Sequence, residues 1–287
     1  MKRITLALAA LALSVATVPA QAQAAPEYRP LKAPRPAWLT DELHAQVVAA
    51  GAQGVPVPAG ADIPTSGLAF TGIRPGAWML SPAGCTMNFV FGTPGNYTIG
   101  TAGHCTLSPG DQVILVVVGP LSPTPILVHV GNTISTTGDN GPGNDFALVS
   151  IFPALQSWVS PSMAHWGGPT RGYTGGPVTP LVHSGHGLVI GTGGTPRAAL
   201  GLYYDVQTGR QTAYWAGATM LGDSGSAIQT AAGEAYANIT HIVVNTAFPG
   251  ADSAGTKLSR ILQLTGGRPL ATCASRVPWP ATGCPPV

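Results

Sequence analysis

Short apolar runs recur along this chain from about Gly67 onward, and Gly, Pro, Asn or Asp stands between them. Such runs fall at residues 87–91, 113–118, 126–130 and 146–151, then at 181–182, 188–190, 212–215, 226–229 and 237–244. They are strand-sized, and the 38 glycines and 28 prolines supply the tight turns that join short strands. The same turn formers suit disorder. A chain that is 45% hydrophobic and only 8% charged does not. The pattern predicts an all-β fold with two helical segments. One opens at Thr40, a capping residue followed by Asp41 and Glu42, carries the apolar stripe Leu43, Val47 and Val48, and stops at Gly51. The other covers residues 257–264. Pattern alone does not separate a sandwich from two barrels.

The N-terminus reads as an export signal over residues 1–24. Lys2 and Arg3 precede a mostly apolar run, and Ala22-Gln23-Ala24 offers small residues for cleavage. That run is too short for a typical membrane span, and no later stretch is long enough, so no stable membrane association is expected. The formal net charge of +2 is matched by the two leader cations, and no basic patch follows, which argues against nucleic acid. Residues 25–66 are rich in proline and alanine. They read equally as a pro-segment or as a flexible N-terminal extension. Export permits disulfides, and Cys85, Cys105, Cys273 and Cys284 allow three connectivities.

Three separated segments carry chemistry: Thr101-Ala102-Gly103-His104-Cys105, Asn144-Asp145-Phe146-Ala147-Leu148-Val149 and Gly222-Asp223-Ser224-Gly225-Ser226. A serine hydroxyl is a poor nucleophile near neutral pH and needs a base to take its proton. Histidine titrates in the right range, and a buried carboxylate fixes its tautomer and stabilises the imidazolium. The chemistry assigns Ser224 as nucleophile, His104 as general base and acid, and Asp145 as orienting carboxylate.

The order His, Asp, Ser and these motifs resemble the chymotrypsin-type serine protease superfamily, in the style of secreted bacterial streptogrisin and α-lytic proteases. The resemblance covers about residues 67–265 and is densest at 85–105 and 222–226. It implies two six-stranded antiparallel β-barrels with a C-terminal helix. Barrel one would span about 67–165 and barrel two about 175–265. A stapled tail, 266–287, would complete a protease domain of 67–287. The favoured disulfides are Cys85–Cys105, tying a strand to the His104 turn, and Cys273–Cys284 in the tail. Closing the first loop would stabilise the fold by roughly 3 kcal/mol in the chain-entropy model. Gly222 and Ser224 would supply the backbone N–H groups of an oxyanion hole.

The sequence also departs from that family. Ser226 replaces a customary glycine, and Ala218-Thr219-Met220-Leu221 lacks the cysteine that often staples the specificity pocket. Ala218, six residues before Ser224, replaces the aspartate of trypsin-like members, so an apolar or small substrate residue is the default preference. His241, with Thr240, is weighed as a binder of acidic side chains against a purely structural histidine. Asp223 needs a cation, and His183 or Arg171 is the candidate. His183 and His186 form His-x-x-His, a weak zinc pattern on its own, and no metal is expected.

The reading is a secreted, extracellular serine endopeptidase, monomeric and cofactor-free, acting on proteins or peptides. A non-catalytic binding protein on the same fold and an esterase using the same triad are the alternatives.

Overall fold

The computed structural model describes residues 26–63, 72–118, 124–187, 195–244, 250–276 and 284. The leader, the expected barrel-one start at 67 and the run at 188–190 lie outside them. Among the described residues seventeen strands form two sheets, almost wholly antiparallel, so the all-β double-barrel expectation holds, with eight and nine strands where six each were expected.

The first sheet follows the path β4–β3–β7–β8–β9–β6–β5. Its strands are β3 (Trp78–Ser81), β4 (Cys85–Thr86), β5 (Val90–Thr93), β6 (Asn96–Thr101), β7 (Gln112–Val117), β8 (Ile126–Thr136) and β9 (Ala147–Ser150). A two-residue edge strand, β2 (Val55–Pro56), also pairs with β8. Strand β7 shows why its sequence is apolar without alternation. Val113, Leu115 and Val117 pack into the inner core, while Ile114 and Val116 join a second cluster outside. Both faces are covered, so both are hydrophobic.

The outer cover is the helix α1 (Asp41–Ala50). Thr40 Oγ1 accepts the Leu43 N–H at 3.2 Å, and Gly51, at φ +55°, closes the helix. Val47 and Leu39 are fully buried against Trp78, Ile114, Val116 and Leu127. Residues 39–57 are thus built into the first half of the molecule.

The second sheet runs β1–β16–β17–β13–β12–β11–β14–β15–β10. It comprises β1 (Tyr28–Pro30), β10 (Arg171–Gly172), β11 (Thr179–Gly185), β12 (Thr195–Gln207), β13 (Arg210–Ala216), β14 (Ala227–Thr230), β15 (Glu234–Asn238), β16 (His241–Val243) and β17 (Ser253–Thr256). Helix α2 (Leu258–Leu264) follows. Its Leu258 and Ile261 meet Phe89, Phe91 and Phe146 from the first half and Ala227 and Ala235 from the second. That shared cluster fixes the two sheets together. No helix among the described residues is long and apolar enough to cross a membrane. Both favoured disulfides are present, Cys85–Cys105 and Cys273–Cys284.

Candidate active site

The three motif residues meet at the junction of the sheets. His104 lies on the 3-10 turn Gly103–Cys105, just after β6, and the Cys85–Cys105 disulfide ties this turn to β4. Asp145 follows a second such turn, Pro142–Asn144, ahead of β9. Ser224 sits in the loop between β13 and β14.

His104 bridges the other two. Its Nδ1 is 2.6 Å from Asp145 Oδ2, and its Nε2 is 2.6 Å from Ser224 Oγ. A carboxylate on one nitrogen makes Nδ1 the donor, which leaves Nε2 free to accept the serine proton. Asp145 Oδ1 also accepts the His104 backbone N–H at 3.0 Å, so the carboxylate grips both ring and main chain. The Asp145 backbone is held in turn. Its N–H donates to Thr256 Oγ1 at 3.1 Å, and its carbonyl accepts from Asn238 Nδ2 at 3.0 Å. Both partners belong to the second sheet, so a residue of the first half is positioned by the second. Asp145 and Ser224 are fully buried and His104 is 4% exposed.

The loop that carries Ser224 has a strict backbone shape. Gly222 stands at φ +102°, and a Cβ there would lie 2.3 Å from the His186 carbonyl. Only glycine fits. Thr86 clamps this loop from the first sheet: its N–H donates to the Ser224 carbonyl at 2.8 Å, and its hydroxyl donates to the Gly222 carbonyl at 2.8 Å. The Gly222 N–H is left pointing into the cleft, where it donates to the Leu31 carbonyl.

Asp223 is fully buried and forks with Arg197: Nη2 donates to Oδ1 at 2.5 Å and Nη1 to Oδ2. This corrects the expectation that His183 or Arg171 would neutralise Asp223. Arg171 instead pairs with Glu234 at 2.6 Å on the surface. Burial, helped by the Arg197 charge, pushes His183 down to about 3, so it is neutral and no counter-ion. Burial also pushes Asp223 up, and the Arg197 fork pulls it back toward the charged form. Arg197 further donates to the carbonyls of Gly185 (3.0 Å) and Ala218 (3.4 Å), fixing the walls around the loop. The sequence signalled only that Asp223 demands a cation, which does not single out Arg197.

Thr240 and His241 lie beside the triad. His241 Nδ1 meets Thr240 Oγ1 at 2.8 Å and stands 3.7 Å from Asp145 Oδ2, while Nε2 meets Asp139 Oδ1 at 3.1 Å. Its ring sets edge-on against that of His104, with centroids 5.6 Å apart. Burial pushes the His241 pKa down, against the raising pull of Asp145 and Asp139. Both ring nitrogens are already engaged beside two carboxylates, an arrangement ill-suited to capturing a third. Ala218 is exposed at the mouth of the loop, and Thr240 presents its carbonyl to the cleft.

His104, Asp145 and His241 each place one potential metal-ligand atom within 4.8 Å of the others, as do Cys85, His104 and Cys105. The sulfurs of the second group are bonded to each other, which removes the thiolates a metal would need. His186, the second member of His-x-x-His, gives its Nε2 to the Gly76 carbonyl at 2.9 Å and stacks on Trp78.

No family model and no curated protein matches the chain. Among solved structures it is similar to protease A of Thermobifida fusca (16% identity, 70% of this chain and 98% of that one, TM-score 0.45). It is also similar to a chymotrypsin of Cellulomonas bogoriensis (17%, 71% and 98%, 0.42) and to a glutamic acid-specific serine protease that uses a histidine triad in substrate binding (16%, 69% and 100%, 0.44).

Proposed function

We propose that this chain is a secreted serine endopeptidase that hydrolyses peptide bonds through an acyl-enzyme. The observation that carries the reading is His104 hydrogen-bonded at once to Ser224 Oγ and Asp145 Oδ2, both at 2.6 Å. In the first step Ser224 Oγ attacks the substrate carbonyl carbon while its proton passes to His104 Nε2. Asp145 stabilises the imidazolium so formed. The carbonyl oxygen, now negative, is held by the Gly222 N–H, with the Ser224 N–H as the second expected donor. His104 then gives its proton to the leaving amine. Water, deprotonated by the same histidine, attacks the ester and restores Ser224.

The leader, two disulfides and a described chain without a membrane-length helix support export. A peptide strand lying in the cleft supports amide over ester substrates, and an intact triad supports catalysis over mere binding. The packing of α1 bears on the extent of the protease unit. Burial of Leu39 and Val47 against Trp78, Ile114, Val116 and Leu127 supports a unit that includes α1 and starts before residue 67.

The test is hydrolysis of an unfolded protein such as casein, with Ser224→Ala as control. Wild type should cut internally, and the variant should lose at least about a thousandfold in rate. Equal rates, or cleavage of simple esters only, would contradict the proposal.

A further inference from the structure

The cleft beside Ser224 holds residues 28–33 of the chain itself. Strand β1 pairs antiparallel with β16, with Tyr28 opposite Val243, Arg29 opposite Ile242 and Pro30 opposite His241. Beyond it the Leu31 N–H donates to the Thr240 carbonyl at 3.0 Å, and the Leu31 carbonyl accepts the Gly222 N–H. Two residues on, Ala33 exchanges both backbone hydrogen bonds with Gly84 of the first half, at 2.8 and 2.9 Å. The segment is therefore an extended strand pinned to the second sheet before Leu31 and to the first half after Lys32. The Leu31–Lys32 bond spans the junction where Ser224 stands.

Side chains follow the same division. Leu31 is 1% exposed and joins a buried cluster with Trp215, Ile228 and Ile239. Lys32 is exposed. Tyr28 reaches along the cleft, its hydroxyl 2.5 Å from that of Tyr214 and its ring edge-on to His241.

On the reading of Ser224 as nucleophile, we propose that residues 28–33 are the enzyme's own first substrate, cut between Leu31 and Lys32. The Leu31 carbonyl already occupies the place where an oxyanion would be stabilised, which is the position a reacting carbonyl must take. Ser224 Oγ bonds to the Leu31 carbon and its proton passes through His104 to the Lys32 nitrogen as the C–N bond breaks. Lys32 leaves as a free amine and becomes the new N-terminus. Water then hydrolyses the Leu31 ester, and the peptide departs with a carboxyl end. No disulfide retains it, since the first cysteine is Cys85.

Two further features fit. Asp223 is neutralised by Arg197 in the uncut chain, so the Gly222 turn is formed before any new N-terminal ammonium exists. Helix α1 and Leu39 lie after the cut and stay with the protease. Uncut, the segment fills the cleft; once cut, the residues up to Leu31 can leave and free the acyl side. The same contacts define the substrate class: an extended peptide with a leucine-sized aliphatic residue on the acyl side and a polar, exposed residue on the leaving side.

The experiment follows intact mass and N-terminal sequence of the full secreted chain for wild type, Ser224→Ala, Leu31→Asp and Lys32→Pro, with fluorophosphonate labelling in parallel. Wild type should yield an N-terminus at Lys32, while Ser224→Ala and Lys32→Pro stay uncut and folded. Leu31→Asp should also stay intact at this bond, yet label at Ser224 faster than Lys32→Pro, because its segment is displaced. Peptides with the sequence Tyr-Arg-Pro-Leu-Lys-Ala should be cut about tenfold or more faster than those with Glu or Arg in place of Leu. Labelling of Ser224 without cleavage at Leu31–Lys32, or a first Ser224-dependent cut elsewhere, would overturn this inference and leave the catalytic reading standing. Absence of both cleavage and labelling in every folded variant would overturn the two together.

Discussion

The nucleophile loop depends on two residues that never touch the reacting carbon through a side chain. Gly222 must hold a positive φ, and the His186 carbonyl stands where a β-carbon would go. Gly222→Ala should therefore displace the oxyanion donor. The expected loss is about 3 kcal/mol of transition-state stabilisation, read as a fall in kcat of roughly a hundredfold or more with little change in KM. An unchanged kcat would contradict the assignment. Arg197 acts through Asp223. Removing it strands a buried carboxylate, at a cost of about 3–5 kcal/mol. Arg197→Lys keeps the charge and loses the two-pronged fork. It should fold less stably and turn over more slowly, as urea unfolding and a peptide assay would show. Of these residues, local motifs singled out Gly222 together with His104, Asp145 and Ser224, which the structure brings within hydrogen-bonding distance of one another. The Arg197 pairing was not legible, since it rests on a β12–β11 register that brings residue 197 opposite His183 and beside the loop. The sequence reading of His241 likewise lacked Asp139, 102 residues distant, which occupies its Nε2.

Among the elements, α1 was legible in full, because a Thr40 cap, two first-turn acids and a terminal glycine are local signals. Its place was not. Nothing local says that an amphipathic helix covers the outer face of β7 and β8 rather than folding apart as a removable segment. The double-sided burial of β7 is the trace it leaves in sequence: an unbroken apolar run where a half-exposed strand would alternate. Leu39→Ala should cost about 2–5 kcal/mol of stability in the processed enzyme, measured by urea unfolding. No loss there would mean that residues 39–57 do not belong to the protease core. Strand β1 escaped prediction because three residues, one of them proline, carry no periodicity. It exists by pairing with β16, an edge that a substrate strand would otherwise use.

At the scale of the molecule, the two sheets are held by a common apolar cluster, and the site lies where hydrogen bonds cross between them. Loss of global structure is thus loss of the triad. His183 and His186 link that structure to pH. Burial pushes both down to about 3 from an ordinary 6.5. Below pH 6.5 the unfolded chain takes up protons that the folded chain refuses, so stability is full above 6.5 and falls as the pH drops toward 3. Between pH 6.5 and 5 the slope should approach about 1.4 kcal/mol per pH unit for each histidine. Urea unfolding at several pH values would read it, and a flat profile would contradict neutral burial. The double-barrel architecture was legible only once the three motifs were read together, for the strand pattern alone admits other two-sheet folds.

The central claim is an assembled serine nucleophile. The most direct measurement is fluorophosphonate labelling of the purified secreted protein, processed to Lys32 or carrying Leu31→Asp, mapped by intact mass and peptide analysis beside Ser224→Ala. A single adduct on Ser224, absent from the alanine variant, is the predicted result. No adduct on folded protein with an open cleft, or an adduct on another residue, would contradict it.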